Sequence, residues 1–562
     1  MRKLKNIWER NMNYNDMFLK DKTKILDKSI PIVTNLHNKV MQYQNDRPIL
    51  CGKKTKYIEI LNNYSFKEDP QEIDNITDSL SKMFQRCVVW EHPGTMINIT
   101  PPANLNSVAL SSYVNYYNPN FAQDEPSGYL VLAEMIVSKY LAELAGYDWK
   151  KAKGIFSFGG KGTILYAVKS SLNKVIDDVS KKGVSNHSIK IISNEKGHPC
   201  HIEVCDWLGL GRDACDRLPV DKDGRLDLER FECYLRSCFE EKVIVPCIII
   251  NGGTTNEVIV DDIKKVANIR DKLVREYKLD YTPHLHVDSV IGWAWLVFKD
   301  YDFKKNHLKM SKIELKKIKE QLNRISNIKY ADSFGADFHK TGFCPYVSSV
   351  YMCKNSDELY AIGNKKTIPI EDIEFGEYSP FEHTLELSRS ATGAVSAFVA
   401  LETFGKKGFQ ELIYKLFSSG EKIRSYINSY CDFEVINNDT LGFASLFVIH
   451  KTNSTKRYND YLTTSDSEVL DFLEYNHQFY LYTLKLFEEG KIAFKITFSK
   501  SYKPYGFTKP TGALKIYNTS PIATEEEYRD IIKKIHDVKI DFDKINSNLT
   551  DLKYAPVDFV YR

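Results

Sequence analysis

The sequence predicts an α/β fold, with a mostly parallel central sheet covered by helices and a smaller C-terminal α/β domain behind it. Short apolar runs at Ile155 to Phe158, Ile189 to Ser193, Val243 to Ile250 and Leu285 to Asp288 alternate with helical stretches. Each run opens into a polar or glycine-rich turn, as strands joined by right-handed crossovers do. From about Leu385 the pattern changes, and a helix over Ala391 to Phe404 leads into a second α/β region ending at Arg562. The divisions this suggests are a helical segment over 1–110, a large domain over 111–385 and a small domain over 386–562.

The first hundred residues read as helical, with loops at His92-Pro93-Gly94 and Thr100-Pro101-Pro102. Gly159-Gly160-Lys161-Gly162-Thr163 follows the first strand. A helix starts there, with Leu165, Val168, Leu172, Val175 and Val179 at helical spacing. His198 lies just past the second strand, and Gly252-Gly253-Thr254-Thr255 just past the third. Asp288 ends the fourth. The stretch Phe303 to Arg324 carries eight basic and two acidic residues and an apolar stripe through Leu308, Leu315, Ile318, Leu322 and Ile325. It reads as a surface helix with a solvated lysine face. A further run, Ala331 to Phe338, opens into His339-Lys340-Thr341-Gly342.

Composition excludes several function classes. The 77 basic and 74 acidic residues of the 562 leave a net charge of +3, so no global field points to nucleic acid. The 11 cysteines are odd in number and contain no Cys-x-x-Cys, so neither a disulfide framework nor a metal site is expected. No run approaches the roughly 20 apolar residues of a membrane helix, and Met1 to Lys20 lacks a signal-peptide core. A cytoplasmic protein without a membrane partner is the expectation.

The chemistry lies at the strand ends. Backbone N–H groups at a glycine-rich helix start favour a phosphate, which points to Gly160, Lys161 and Gly162. A Walker A loop is not formed, because Gly160 stands where lysine is required. An imidazole at His198 can stack on an aromatic ring, with His201 nearby a second candidate ranked below it, and the hydroxyls of Thr254 and Thr255 can bond a ring oxygen or a phosphate. Asp288, among apolar neighbours, needs a cationic partner. Lys340, behind His339 in Asp337-Phe338-His339-Lys340, is placed to bond an aldehyde, with its pKa expected to be lowered in a cationic, partly dry pocket. Glycine loop, His, Thr-Thr, Asp and Lys in that order are what pyridoxal phosphate needs. The lysine holds the aldehyde, and the carboxylate keeps the pyridine nitrogen protonated.

These residues resemble the group II pyridoxal-phosphate amino-acid decarboxylases, the family of glutamate, aromatic amino-acid and bacterial tyrosine decarboxylases. The resemblance runs from His92 to Gly408. His92-Pro93 with Thr100-Pro101-Pro102 is similar to the family's substrate-side segment, and Asn118-Pro119-Asn120-Phe121 to its glutamate decarboxylase form. His198 matches the ring-stacking histidine, Pro219-Val220-Asp221 and Gly224-Arg225-Leu226-Asp227 the stretch after it. Gly253-Thr254-Thr255, Asp288, His339-Lys340 and Leu387-Ser388-Arg389-Ser390 match in turn. Two departures stand out: Gly160-Lys161-Gly162-Thr163 replaces the usual Gly-Thr-Glu-Ala, and Ser289-Val290 replaces two small residues.

The resemblance implies the type I pyridoxal-phosphate transferase fold (aspartate aminotransferase-like), a homodimer, and loss of the α-carboxylate of an L-amino acid. It implies substrate contacts by His92, Thr100 and Asn118, and a tyrosine from the loop after the lysine as proton donor, Tyr360 or Tyr378. Lys340 to Pro345 with Ser348-Ser349 also resembles the sphingosine-phosphate lyases, which break a carbon–carbon bond instead. Those lyases carry a second lysine where this chain has Tyr346. A non-catalytic relative is a third reading, opposed by the intact Asp288 and Lys340.

Overall fold

A computed structural model describes residues 17–184, 187–363, 370–507 and 509–545. The N-terminal stretch forms α1 (Ile25–Met41) and α2 (Ile73–Met83), which pack on each other. Helix α3 (Leu105–Val114) opens on Asn104, whose side-chain oxygen accepts the Ser107 N–H at 2.9 Å, an N-cap that satisfies one of the helix's free donors. Helix α4 (Leu132–Ala145) buries Val137 and Leu141 and leads into the sheet.

Among the described residues the main sheet has seven strands: β1 (Lys153–Ser157), β2 (Ile191–Asn194), β3 (Cys215–Leu218), β4 (Cys247–Asn251), β5 (His284–Asp288), β6 (Ser333–Asp337) and β7 (Ser349–Cys353). Their order is β1-β7-β6-β5-β4-β2-β3, and only β7 runs against its neighbours. Strands β4 to β7 are buried along their whole length, as strands of a sheet covered on both faces are. Helix α5 (Gly160–Val175) covers one face through Ile164, Ala167 and Val168, and α6 (Cys200–Trp207) packs beside it. The charged stretch forms α7 (Lys312–Ile325), capped by Ser311 with Glu314 in a capping box.

The helical stretch α8 (Thr392–Asn428) is broken at Gly405, φ 55° and ψ −175°, so its first part ends where the sequence predicts, at Phe404, and a second part follows the kink. It passes into an antiparallel sheet of order β10-β11-β9-β8, built from β8 (Phe433–Val435), β9 (Ser445–Ile449), β10 (Thr497–Ser499) and β11 (Ala513–Ile516). Helices α9 (Asp466–Glu488) and α10 (Glu525–Ile545) pack against each other beside this sheet. Ile49 and Met96 share an apolar cluster with Phe447, Phe479 and Phe498, so the chain before α3 packs on the C-terminal sheet.

The topology gathers chemistry at one edge. Strands β1, β2, β4, β5 and β6 point the same way, so Ser157, Asn194, Asn251, Asp288 and Asp337 end together. Ligands of open α/β sheets bind beyond such ends.

Candidate active site

Asp288 and Asp337 end the adjacent strands β5 and β6 and are nearly fully buried. Asp288 Oδ2 lies 3.1 Å from His201 Nε2, and His201 Nδ1 lies 2.6 Å from Ser193 Oγ. With the ring proton on Nε2 donating to the carboxylate, Nδ1 accepts from the serine, and the imidazole is fully occupied. Burial would raise the Asp288 carboxyl. The His201 hydrogen bond and the positive charge of Lys340 outweigh it and hold the group below the usual carboxylate range. The second oxygen, Oδ1, is buried and has no hydrogen-bond donor among the described residues.

Lys340 stands in a one-turn helix, Phe338–Thr341, directly after β6. Its Nζ forms an ion pair with Asp337 Oδ2 at 3.0 Å, and its side chain is 19% exposed. Burial alone would lower its pKa, but the charges of Asp337 and Asp288 prevail and raise it well above the ordinary lysine range. This corrects the sequence expectation of a lowered pKa. The pocket around Lys340 holds two carboxylates rather than a surplus of cations. Asp337 Oδ1 accepts from Ser349 Oγ at 2.6 Å, and Oδ2 is also 3.4 Å from His339 Nε2. A Cβ at Gly160 would lie 3.0 Å from Asp337 Oδ2, a tight contact that would press on this carboxylate. A Cβ on Gly162 would lie 2.1 Å from Ser157 Oγ, so α5 can approach the sheet only with glycine there.

His339 accepts the Ser348 N–H on Nδ1 at 3.2 Å, and burial lowers its pKa against the pull of Asp337. Its ring packs on Tyr346 with centroids 4.1 Å apart, and the Tyr346 hydroxyl is 3.0 Å from Thr100 Oγ1. Thr100 is thereby tied to the Lys340 helix across a long loop closure. His198 accepts the Cys200 N–H on Nδ1 at 3.1 Å. Burial first, then the charge of Lys340, push its pKa down to about 4, so the ring is neutral at pH 7. Thr254 Oγ1 accepts the Ile259 N–H at 3.1 Å, which pins the turn after β4. His198, Thr254 and Thr255 line a cavity of about 1300 Å³ that reaches the C-terminal sheet.

Other predicted residues lie elsewhere. The Lys161 side chain pairs with Glu203 and sits 4.5 Å over the Trp207 ring, so only its backbone faces the strand ends. His92 accepts the Gly94 N–H and faces Asp46 and Glu527, with burial lowering its pKa. Asn118 is exposed at φ 48°. Tyr378 is buried with Lys153 5.2 Å over its ring and its hydroxyl beside Glu134 and Arg389. Its contacts run to that buried ion pair and not to Lys340. The side chain of Tyr360 lies outside the described residues. Sequence reasoning gave no role to Asp337 and ranked His201 below His198. The signal for His201 was its three-residue offset from His198, which sets it on the first turn of α6.

Comparison with known proteins matches residues 55–448 to the pyridoxal-dependent decarboxylase conserved domain. The chain belongs to the pyridoxal-dependent decarboxylase family. It is 23% identical over 288 residues to the acidic amino acid decarboxylase GADL1 of Xenopus tropicalis, covering 51% of this chain and 53% of that protein. It is 25% identical over 293 residues to the L-tyrosine decarboxylase of Enterococcus faecium, covering 47% and 46%. The chain thus spans about half the length of these two relatives. Its fold is similar to that of mouse CSAD, with a TM-score of 0.73 at 15% identity, covering 91% of this chain and 98% of that one.

The residues present fit the cofactor this family is named for. A buried carboxylate kept ionised, with one oxygen lacking a donor, suits the N–H of a protonated pyridine ring. Across the site stands a lysine. Neutral His198 suits stacking on the ring's face, which an imidazolium beside a pyridinium would not. Among the described residues there is no cluster of His, Cys, Asp and Glu able to hold a metal, and no helix is long and apolar enough to cross a membrane.

Proposed function

We propose that the protein is a pyridoxal-phosphate-dependent decarboxylase that removes the α-carboxylate of an L-amino acid. The observation that carries this reading is the pair at the ends of β5 and β6, an ionised Asp288 with one open oxygen and Lys340 parked on Asp337. The residues that would hold the cofactor are Asp288 at the ring nitrogen, His198 on the ring face and Lys340 at the aldehyde. Thr254 and Thr255, together with the backbone of Gly160, Lys161 and Gly162, would hold its oxygens. Bound there, the cofactor supplies an electron-poor ring that takes up the electron pair left when carbon dioxide departs.

The chain's own groups do the rest. Asp288 keeps its charge because His201 donates to Oδ2 while Ser193 fixes the imidazole. Asp337 balances the Lys340 ammonium at 3.0 Å, so the lysine must release a proton and leave this carboxylate before its amine can react. His339, bonded to the Ser348 N–H and packed on Tyr346, holds the turn that carries Lys340. Thr100, bonded to Tyr346, brings the substrate-side loop against that turn.

We further propose a homodimer in a reducing, cytoplasmic compartment. Ile30 and Val33 on α1, Ile73, Ile76, Leu80 and Met83 on α2, and Leu105 and Leu110 on α3 are exposed, an apolar surface that a second copy would cover. All 11 cysteines are free thiols, as in reduced proteins. The test of function is carbon dioxide release from each of the common amino acids by the cofactor-saturated protein. Release from at least one supports the reading, and none from any contradicts it.

A further inference from the structure

The turn after β4 holds a backbone conformation that its own residues do not favour. Val258 is buried at φ 54°. A β-branched side chain crowds the backbone in this left-handed region, so the conformation persists only where the surroundings impose it. Within the turn, the Val258 N–H donates to the Thr254 carbonyl at 2.9 Å, and the Ile259 N–H to Thr254 Oγ1 at 3.1 Å. Relaxation of Val258 would therefore move Thr254. The bond from Ile259 uses the threonine oxygen as an acceptor, so the hydroxyl keeps its hydrogen to donate to a ligand oxygen.

What imposes the strain comes from outside the turn, where three successive residues are each held by a different element. Tyr517, directly after β11, donates its hydroxyl to Asn256 Oδ1 at 3.1 Å. Thr440, between β8 and β9, donates to the Glu257 carbonyl at 2.8 Å and accepts the Gly442 N–H at 3.1 Å. One hydroxyl thus ties its own loop to the turn. Gln321, buried on α7, donates to the Val258 carbonyl at 2.7 Å. The Val258 methyls also lodge between two glycines. A Cβ on Gly253 would lie 3.3 Å from Cγ1, and one on Gly442 2.5 Å from Cγ2.

We propose that Thr440, Tyr517 and Gln321 are positioning residues, which hold Val258 in its strained conformation and so present the Thr254 hydroxyl to the cofactor. Through them the C-terminal sheet and α7 set cofactor affinity from a distance. This rests on the reading that Thr254 bonds an oxygen of the cofactor.

The test frees the full chain of cofactor and titrates it with pyridoxal phosphate, following the visible absorption of the bound form. T440V, Y517F and Q321M should each bind about three- to tenfold more weakly, the net loss that one hydrogen bond brings. T440S keeps the hydroxyl and should bind as the native chain does. T254V should also bind more weakly, and adding T440V to it should cost less than T440V costs alone, because both changes act on one hydroxyl. Melting of the cofactor-free variants is followed alongside, since a merely structural Thr440 would lower the melting temperature and leave affinity alone. Y517F removes a single oxygen and decides the matter should T440V fail to fold. Unchanged affinity in all three variants, or full additivity of T440V with T254V, overturns the positioning role. Unchanged affinity in T254V overturns the reading beneath it, that this turn meets the cofactor.

Discussion

Asp288 and Asp337 are the same residue type at the ends of neighbouring strands, both buried, yet they are equipped differently. Asp337 has Ser349 on one oxygen and Lys340 and His339 close to the other, all from its own strand end or from β7. Each carboxylate has one hydrogen-bond donor, Ser349 for Asp337 and His201 for Asp288, and one oxygen without a hydrogen bond. That oxygen of Asp337 faces the Lys340 ammonium at 3.0 Å, whereas that of Asp288 has no ion-pair partner among the described residues. A buried carboxylate costs several kcal/mol unless partnered, so the chain invests cations in Asp337 and leaves Asp288 short. The lesson is that the well-partnered carboxylate belongs to the resting machinery and the under-partnered one to the ligand. Sequence spacing would have marked the two alike.

The largest break in this comparison comes from D288N. It keeps shape and removes the charge that would hold a ring nitrogen protonated. Turnover should fall about 10²–10³-fold, the usual cost of losing an electrostatic partner at the reacting centre, while the fold, read by circular dichroism, stays intact. A loss under threefold would mean the open oxygen of Asp288 faces nothing of importance.

The neighbouring substitution, D337N, acts on the lysine. Asp337 raises the Lys340 pKa, so the ammonium is favoured and the amine appears only at high pH. Without that charge the amine should form at lower pH. The pH profile of the cofactor's visible absorption on binding would shift toward acid, a readout independent of turnover. An unmoved profile would show that the ion pair does not govern the lysine.

His198 gives a smaller, pH-dependent effect. Its folded pKa of about 4 lies below the ordinary 6.5, so the unfolded chain binds the extra proton first as pH falls. Stability present above pH 6.5 is therefore lost progressively between about 6.5 and 4. In H198Q, thermal melts across that window should flatten relative to the native protein. The smallest effects belong to side chains turned away from the strand ends. K161A breaks an ion pair with Glu203 whose lysine is 34% exposed, worth about 0–1 kcal/mol, and should leave cofactor affinity within a few fold. Y378F should likewise leave carbon dioxide release nearly unchanged, since its hydroxyl serves Glu134 rather than Lys340.

Much of this was legible in the sequence because a parallel sheet writes itself as short apolar runs ending in turns. Five strands were read that way, and each of them ends at a residue or loop of the site. Strands β3 and β7 were not. Their four or five residues, Cys215–Leu218 and Ser349–Cys353, carry no alternation and no flanking glycine signal. Missing β7 hid Ser349, and with it the reason Asp337 is so well held. The direction of the Lys340 shift was also out of reach. Asp337 stands three residues away in sequence, but only the turn after β6 brings its carboxylate back onto the ammonium. His92 and Tyr378 were placed by resemblance alone, and their neighbours Glu527 and Glu134 could not be read from the sequence.

Every role assigned in the site depends on which lysine bonds the cofactor. Borohydride reduction of the pyridoxal-phosphate-saturated protein, followed by peptide mass mapping, tests it directly. The pyridoxyl group should appear on Lys340 and vanish in K340A. Label on another lysine, or none on Lys340 at saturation, would contradict the assignment of the whole site.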